Sequence, residues 1–225
     1  MKPTKEYNGR SRIRMFNCDN RELMNQVDDN YYDLAICDPE YGINVAKNGT
    51  IGGNNAGTAK EYGKKDWDSK SVDKKSIDST IRISKNQIIF GANHFVSKIA
   101  IDSPCWIVWD KNNSGNFADC ELAWTSFKTA VRKFTHTWNG MLQHDMSNKQ
   151  IRIHHTEKPI RLYRWILKNY AEPNQKIFDG WGGSMSIAIA CWDLGFDLDI
   201  CELDTDYFND AVKRFENHIS QTQLF

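Results

Sequence analysis

Short apolar runs separated by polar turns recur along the chain and predict alternating strands and helices. Six runs have the length and apolar content of buried strands, at residues 12–17, 32–37, 87–90, 105–109, 176–178 and 197–201. Helical spacing of apolar residues covers residues 21–27, 72–85, 93–100, 159–170, 184–194 and 206–218. Residues 120–127 and 131–138 are also strand-like, and we expect them to pair as an antiparallel hairpin. The pattern predicts one α/β domain over residues 1–225, with a mixed, mostly parallel sheet and helices on both faces.

Length and composition fit a single intracellular domain. The 225 residues suffice for one α/β domain with a modest insertion. No apolar run approaches the roughly 18 to 20 residues needed to cross a bilayer, and the first residues lack the apolar core of a signal peptide. We therefore expect a soluble, cytoplasmic protein with no membrane partner. The six cysteines include no Cys-x-x-Cys pair, which is typical of free thiols in a reducing compartment rather than of a zinc site.

Two polar loops that follow apolar runs carry the strongest chemical signal. They read Asp38-Pro39-Glu40-Tyr41 and Asp179-Gly180-Trp181-Gly182-Gly183-Ser184. Because α/β sheets bind ligands at the carboxyl ends of parallel strands, we expect both loops at one site. The first loop offers a carboxylate acceptor, a rigid proline and an aromatic ring, and the second offers an acid and a small-residue turn that opens a helix. Together they indicate chemistry on an amino group beside a nucleoside cofactor.

The order of these motifs resembles that of the DNA amino-methyltransferases that use S-adenosylmethionine, whose catalytic motif reads Asp-Pro-Pro-Tyr. The catalytic loop precedes the cofactor loop, which is similar to the beta arrangement of that family. Further similar segments span nearly the whole chain: Asn17-Cys18-Asp19, Phe90-Gly91-Ala92-Asn93-His94-Phe95, Trp106-Ile107-Val108-Trp109-Asp110-Lys111, Glu121-Leu122-Ala123-Trp124 and His155-Thr156-Glu157-Lys158-Pro159. The resemblance implies a Rossmann-like methyltransferase sheet, S-adenosylmethionine as cofactor and double-stranded DNA as substrate.

The resemblance assigns the catalytic roles to Asp38, the Pro39 carbonyl and Tyr41. The exocyclic nitrogen of adenine or cytosine is a poor nucleophile because its lone pair is delocalised into the ring. A carboxylate and a carbonyl that accept its two N–H bonds would draw it towards tetrahedral geometry, while the Tyr41 ring stacks on the base. The base must first leave the duplex, which costs a few kcal/mol. An isolated Asp-Pro after a strand is more often a simple turn, so the assignment depends on the other motifs.

One departure from the family pattern bears on activity. Glu40 stands where the family has its second proline, which loosens the loop and adds a negative charge. The cofactor loop departs too, with Gly180 where the family has a proline. We expect activity to survive because the acceptor groups of the catalytic motif are kept. A catalytically impaired DNA-binding relative is the alternative.

The resemblance also predicts which residues bind the cofactor. Cys18 and Asp19 would flank its adenine, Thr156 and Lys158 would lie near its methionine part, and Glu202 would accept hydrogen bonds from ribose hydroxyls. The other predicted contacts are Asp38, Asp179, Gly180, Trp181, Gly183 and Ser184. In isolation, a solvated Asp19 or a helix-capping Thr156 is the commoner role. A nicotinamide site is the alternative for the Gly-rich turn, but the full Gly-x-Gly-x-x-Gly spacing is missing. No metal is needed.

Charge is unevenly distributed although the net charge is zero. Residues 126–170 contain nine basic and two acidic residues, whereas residues 193–225 contain eight acidic and two basic ones. The basic stretch could neutralise phosphates. The residues predicted to bind DNA are Lys128, Arg132, Lys133, Lys149 and Arg152. A solvated helix face is the alternative for the part of this stretch that contains Arg161, Arg164 and Lys168.

Two segments are candidates for DNA recognition. Residues 44–75 are rich in Gly, Asn and Lys with few aliphatics, so we expect a mobile loop that acts as a lid or DNA-contacting flap. Residues 125–154 are short for a target-recognition insertion, so we expect recognition of a short DNA sequence, with help from a second subunit or from residues 44–75.

The resemblance favours adenine N6 as the target, with cytosine N4, RNA or a protein amine as alternatives. No nuclease motif is visible, so restriction would need a separate endonuclease.

Overall fold

The computed structural model describes residues 1–44, 50–51, 60–61, 68–112, 118–139, 142–147, 152–154 and 156–222. Its strands are β1 (Lys5–Asn8), β2 (Arg12–Asn17), β3 (Tyr32–Cys37), β4 (Thr50–Ile51), β5 (Lys60–Glu61), β6 (Ser84–Phe90), β7 (Trp106–Asp110), β8 (Cys120–Thr125), β9 (Arg132–Thr135), β10 (Trp138–Asn139), β11 (Leu142–Gln143), β12 (Lys176–Asp179) and β13 (Asp197–Glu202). Its helices are α1 (Asn20–Met24), α2 (Lys74–Ile83), α3 (Val96–Ile99), α4 (Ile160–Tyr170), α5 (Ser186–Leu194) and α6 (Thr205–Thr222), with a 3-10 turn at Ala92–His94.

Nine strands form one mixed sheet in the order β1-β2-β13-β12-β3-β6-β8-β7-β9. The consecutive strands β2, β13, β12, β3 and β6 all run parallel to their neighbours. Their carboxyl ends therefore meet at one edge of the sheet. The prediction of a mixed, mostly parallel α/β sheet is confirmed, and the two polar loops leave adjacent strands at this edge.

The core explains why the central strands are continuous apolar runs. Ile36, Ile88, Ile177 and Ile200 are fully buried, because both faces of the parallel strands are covered. Helix α5 packs with α4 on one side, and six of its residues from Ile187 to Trp192 are buried. A second cluster, around Phe178, fills the space beneath α1 on the other side. The packed sheet holds the loops at its edge in fixed positions.

The predicted hairpin of residues 120–127 with residues 131–138 is wrong. Strand β8 lies between β6 and β7, antiparallel to both, and β9 pairs parallel with β7. Burial explains the arrangement, because Ala123 and Trp124 of β8 are almost completely buried, as an interior strand requires. In β9, all residues except Phe134 are exposed, which suits the edge of the sheet. The chain between β8 and β9 therefore turns at the opposite end of the strands from the polar loops.

Some predicted element bounds also shift. The helix expected at residues 72–85 begins after Asp73, because the Asp73 carboxylate accepts a hydrogen bond from the Ser76 N–H at 2.9 Å and caps the helix. The residues that follow Ile83 are extended and belong to β6. Most of the loop expected at residues 44–75 lies outside the described residues. None of the described helices has the length and apolar content of a membrane span.

Candidate active site

The carboxyl ends of the parallel strands border one open cleft of about 1000 Å³. Its walls come from the loops after β2, β3, β12 and β13 and from the segment that precedes α4. In the β3–β12 pair, Leu34 lies opposite Ile177 and Ala35 opposite Phe178, so the loops that leave these strands are neighbours. The two motifs singled out from the sequence thus share a cavity, although they lie far apart along the chain.

Asp38 lies at the centre of a buried network of charges. The Tyr41 hydroxyl donates a hydrogen bond to Asp38 Oδ1 at 2.6 Å, and Lys158 Nζ lies 2.5 Å from Asp38 Oδ2. The same ammonium donates to the Tyr41 hydroxyl oxygen at 3.2 Å and lies 4.7 Å from the centre of the Phe90 ring. Only 3% of the Lys158 side chain is exposed. A cation this deeply buried needs such partners, because an unpaired one would be strongly destabilising.

Glu121 extends the network away from Asp38. Its Oε2 lies 3.3 Å from Lys158 Nζ, and its Oε1 accepts a hydrogen bond from Lys111 at 2.5 Å. Burial opposes ionisation of Glu121, but the charges of Lys158 and Lys111 lower its pKa to about 2. Burial raises the pKa of Asp38, and the charge of Lys158 opposes that rise. Charges therefore alternate in sign from Lys111 through Glu121 and Lys158 to Asp38.

The Tyr41 ring is held in place by close packing. It stacks on His94, with ring centroids 5.2 Å apart and an interplanar angle of 16°. Gly91 has a φ of +64°, and a Cβ there would come within 2.0 Å of the Tyr41 ring. Glycine is required at this position both for its backbone conformation and for the approach of the ring. The aromatic ring of the catalytic motif thus has a defined orientation.

Hydrogen bonds hold the catalytic loop where Glu40 replaces a proline. Asp68 Oδ1 accepts the backbone N–H groups of Tyr41 and Gly42 at 2.9 and 2.7 Å. Glu40 Oε2 accepts the indole N–H of Trp181 at 3.1 Å, which connects the catalytic loop to the cofactor loop. Burial raises the pKa of Glu40. These contacts provide a constraint of the kind that a proline ring would supply.

The Gly-rich loop approaches the end of β13 closely. Gly183 has a φ of +49°, and its N–H donates a hydrogen bond to Glu202 Oε2 at 2.7 Å. A Cβ at Gly182 would lie 2.9 Å from the Cys201 carbonyl oxygen, so a larger residue would displace the loop. The other Glu202 oxygen accepts the Asp204 N–H at 2.7 Å. Burial raises the pKa of Glu202 to about 6, although these two N–H groups oppose the rise.

Asp179 is placed differently from the other residues predicted to bind the cofactor. It is 1% exposed and does not line the cleft, and its Oδ1 accepts the Trp181 N–H at 2.9 Å. Burial raises its pKa to about 8; the Trp181 N–H opposes this rise, and the charges of Asp38 and Glu202 add to it. In the structure, Asp179 lies beneath the Gly-rich loop and holds its conformation through this hydrogen bond.

The remaining residues of the predicted cofactor set all line the cleft: Cys18, Asp19, Asp38, Thr156, Lys158, Gly180, Trp181, Gly183, Ser184 and Glu202. Asp19 also caps α1, because its Oδ1 accepts the Arg21 N–H at 3.0 Å. Thr156 packs against His154, with its hydroxyl 3.3 Å from the ring Nδ1. The structure thus brings together ten of the eleven residues at one site, together with Pro39 and Tyr41 of the catalytic motif.

The five residues predicted to bind DNA do not lie together. Arg152 lines the cleft, with its guanidinium 4.5 Å from the Trp138 ring. Lys128 follows β8 and Arg132 begins β9, so both lie at the edge of the sheet opposite the cleft. Lys133 forms an ion pair with Asp110 at 3.2 Å. Lys149 lies outside the described residues.

Three charged residues that the sequence did not single out support the site. Arg214 on α6 donates to the Ser184 carbonyl at 3.0 Å and lies 3.1 Å from Glu157 Oε1, which ties the cofactor loop to the segment that carries Lys158. Glu121 and Lys111 belong to segments that resemble family motifs. Their meeting with Lys158 depends on the order of β6, β8 and β7, which no local pattern indicates.

Comparison with known proteins agrees with this geometry. A family model described as DNA methylase matches residues 108–213. This match covers slightly less than half of the chain. It supports the resemblance to the DNA amino-methyltransferases that the order of the motifs predicts. The chain is also 23% identical over 253 aligned residues to the type II methyltransferase M1.MboII of Moraxella bovis, covering 89% of this chain and 95% of that protein.

Solved structures share the fold of this chain. The M1.HpyAVI–SAM complex superposes with a TM-score of 0.56 at 21% identity, covering 90% of this chain and 99% of that one. The cytosine-N4-specific PvuII DNA methyltransferase gives a TM-score of 0.59 at 12% identity, covering 92% and 90%. The family model spans both N6 and N4 enzymes, so the likeness alone does not choose the target base.

Proposed function

We propose that this chain is a DNA amino-methyltransferase that transfers a methyl group to N6 of adenine in DNA, with the target base flipped into the pocket formed by Asp38, Pro39, Glu40 and Tyr41. One observation carries the proposal: the Asp38 carboxylate, held by Tyr41, lies in the same cleft as the Gly-rich loop and Glu202. The cytosine-N4-specific PvuII enzyme has the same fold, which makes cytosine N4 the second candidate. Transfer to RNA or to a protein amine is a more distant alternative.

The cofactor is S-adenosylmethionine, and the cleft has the features that it requires. A volume of about 1000 Å³ is at the upper end of the range for small-molecule sites. Each Glu202 oxygen holds one N–H and retains a lone pair that can accept from a ribose hydroxyl. When bound, the cofactor supplies an electrophilic methyl group on a positively charged sulfur. The residues proposed to hold it are Cys18, Asp19, Asp38, Thr156, Lys158, Gly180, Trp181, Gly183, Ser184 and Glu202. Asp179 does not line the cleft and acts through its hydrogen bond to the Gly-rich loop.

The residues of the catalytic loop act on the target amine. Asp38 and the Pro39 carbonyl accept its two N–H bonds, which localises the lone pair on nitrogen. The hydrogen bond from the Tyr41 hydroxyl fixes the orientation of the Asp38 carboxylate. The Tyr41 ring stacks on the flipped base, and burial of the pocket excludes water. Asp38 also receives the proton that the amine releases.

Double-stranded DNA is the proposed partner. Arg152 lines the cleft beside Trp138 and is placed to contact a phosphate near the flipped base. Contacts from Lys133 and Lys149 remain predictions, as does recognition by residues 125–154 with help from a second subunit. Lys128 and Arg132 lie at the opposite end of the strands from the cleft, which argues against their contact with DNA there. M1.MboII is named a type II methyltransferase, so we propose a restriction-modification context with a separate endonuclease.

The experiment is nucleoside analysis of DNA from a host without its own DNA methylation that expresses the protein. We expect N6-methyldeoxyadenosine by mass spectrometry, and none from cells that express Asp38→Asn. N4-methyldeoxycytidine instead would establish the second candidate and contradict the adenine assignment. Unmodified DNA, with a folded protein that binds cofactor, would support the catalytically impaired relative.

A further inference from the structure

Both carboxylate oxygens of Asp38 are already engaged in the structure. The Tyr41 hydroxyl occupies Oδ1 at 2.6 Å, and Lys158 Nζ occupies Oδ2 at 2.5 Å. Each oxygen keeps a lone pair for an amine N–H, but an ammonium this close weakens both oxygens as acceptors and makes Asp38 a weaker base. Lys158 is only 3% exposed, so a shift of its ammonium away from Asp38 needs another acceptor within the wall of the cleft.

Glu121 provides this second acceptor. Its Oε2 lies 3.3 Å from Lys158 Nζ, compared with 2.5 Å between Lys158 Nζ and Asp38 Oδ2. Apart from this contact, Oε2 has no hydrogen-bond partner among the described residues. Lys111 binds the other oxygen at 2.5 Å and keeps the carboxylate in position. The ammonium thus lies between two acids, close to one and within reach of the other.

We propose that Glu121 is a positioning residue that draws Lys158 away from Asp38 when the target amine binds. The inference rests on the proposed methyl transfer. A shift of the ammonium towards Glu121 makes Asp38 Oδ2 a stronger acceptor for an amine N–H. With the cation more distant, Asp38 also becomes the stronger base, which suits the group that must take a proton from the amine.

Asp38 takes the one proton that the transfer releases. The amine nitrogen forms its bond to the methyl carbon while the carbon–sulfur bond breaks and leaves its electron pair on sulfur. The nitrogen then carries a positive charge, and one N–H proton passes to Asp38. Lys158 and Glu121 keep their charges throughout: burial would lower the pKa of Lys158, but Asp38 and Glu121 hold it above its ordinary value.

Four other titratable groups lie near Asp38 and Lys158. Burial raises the pKa values of Tyr41, Tyr163 and Cys37, so all three stay neutral near neutral pH. Asp179 has its pKa raised by burial to about 8 and changes charge in the neutral range. Its titration contributes to a pH profile of either the wild type or a Glu121 variant. A difference between the two profiles reports the change at Glu121.

The test compares Glu121→Gln and Glu121→Asp with the wild type. The amide lacks the negative charge that attracts Lys158, so we expect kcat for methyl transfer to fall by about tenfold or more. The KM for S-adenosylmethionine should change by less than about twofold, since Glu121 acts on the target side. The shorter carboxylate of Glu121→Asp should recover part of the loss. Asp78→Asn, which removes an exposed ion pair with Lys74 on α2, is the matched control and should behave as the wild type.

A second readout needs no turnover. In protein with ¹³C-labelled aspartate carboxyl groups, the Asp38 signal is identified by its loss in Asp38→Asn, and its titration is followed by NMR without cofactor. In Glu121→Gln we expect Asp38 to titrate at lower pH than in the wild type, because a neighbouring negative charge is gone and Lys158 no longer pairs with a second acid.

Equal Asp38 titration curves, or an unchanged kcat in a folded Glu121→Gln protein, would overturn the inference. A kcat that falls in Glu121→Gln without recovery in Glu121→Asp and without the titration shift would also overturn it, since that is the signature of a general loss of structure. A wild-type protein that transfers no methyl group to DNA would instead refute the proposed function, and the NMR comparison would still decide whether Glu121 controls Lys158.

Discussion

The target side and the cofactor side of the cleft are both rich in buried acids, but they balance the negative charge differently. On the target side, Asp38 and Glu121 share Lys158, and the pKa of Glu121 falls to about 2 despite its burial. On the cofactor side, Glu202 and Asp179 are bound by backbone N–H groups, and burial raises their pKa values to about 6 and about 8. The difference matches the ligands: the target amine is neutral, whereas the cofactor brings its own positive charge.

Asp38→Asn should have the largest effect, because it disables the target side alone. The amide has the shape of the carboxylate but cannot take the amine proton, and it leaves Lys158 paired only with Glu121. We expect methyl transfer to DNA to fall by about 10³-fold or more, measured with tritium-labelled cofactor. Cofactor affinity, measured by calorimetry, should stay within about threefold of the wild type, because the amide keeps an oxygen acceptor at this position. A transfer rate close to that of the wild type would contradict the assignment of Asp38 to the target side.

Glu202→Gln tests the cofactor side in the same way. Loss of a charged acceptor for ribose hydroxyls should weaken cofactor binding by about 10- to 100-fold, while kcat at saturating cofactor changes little. Because the pKa of Glu202 is about 6, cofactor affinity of the wild type should fall as the pH drops through 6, and that dependence should disappear in the variant. Glu216→Gln, at an exposed ion pair with Lys5, is the control. A pH dependence that persists unchanged in Glu202→Gln would assign it to another group.

Asp179→Asn should have a smaller effect, on stability. The folded-state pKa of about 8 lies above the ordinary value of 3.8, so this site contributes most to stability below about pH 4, and that contribution is lost as the pH rises towards 8. The variant cannot ionise and keeps the acceptor for the Trp181 N–H. Without cofactor, we expect it to exceed the wild type in free energy of unfolding at pH 8 by more than about 1 kcal/mol, since one pKa unit corresponds to about 1.4 kcal/mol.

Urea unfolding at pH 5 and at pH 8 measures this difference. The gap between variant and wild type should widen from the lower to the higher pH. A variant that is less stable than the wild type at both values would show that the Asp179 carboxylate stabilises the empty cleft, contrary to the contrast drawn between its two sides.

The features of the fold and the site that the sequence predicts depend on local pattern. The runs at residues 32–37 and 176–178 are apolar and end in turn residues, so both loops could be placed at the edge of a parallel sheet. Asp38 and Glu202 follow from their positions at strand ends and from the family motifs. The predicted site is therefore most complete where chemistry and turn geometry are carried by consecutive residues.

The parts that the sequence does not predict depend on which strands become neighbours. The closeness of β8 and β9 in the chain favours a hairpin, but packing of Trp124 in the sheet interior places β8 between β6 and β7. The same order brings Glu121 to Lys158. It also places Lys128 and Arg132 at the opposite end of the strands from Arg152. Clustering of basic residues along the chain does not indicate strand direction, so the sequence could not predict this separation.

The most direct test of the central claim measures cofactor binding and methyl transfer on the same preparations of wild type, Asp38→Asn and Glu202→Gln. The two-sided cleft predicts that Asp38→Asn binds cofactor normally and transfers almost no methyl group, while Glu202→Gln binds weakly and transfers at nearly the wild-type rate once saturated. If binding and transfer fall together by similar factors in both variants, the cleft does not separate cofactor and target sites, and the account is contradicted.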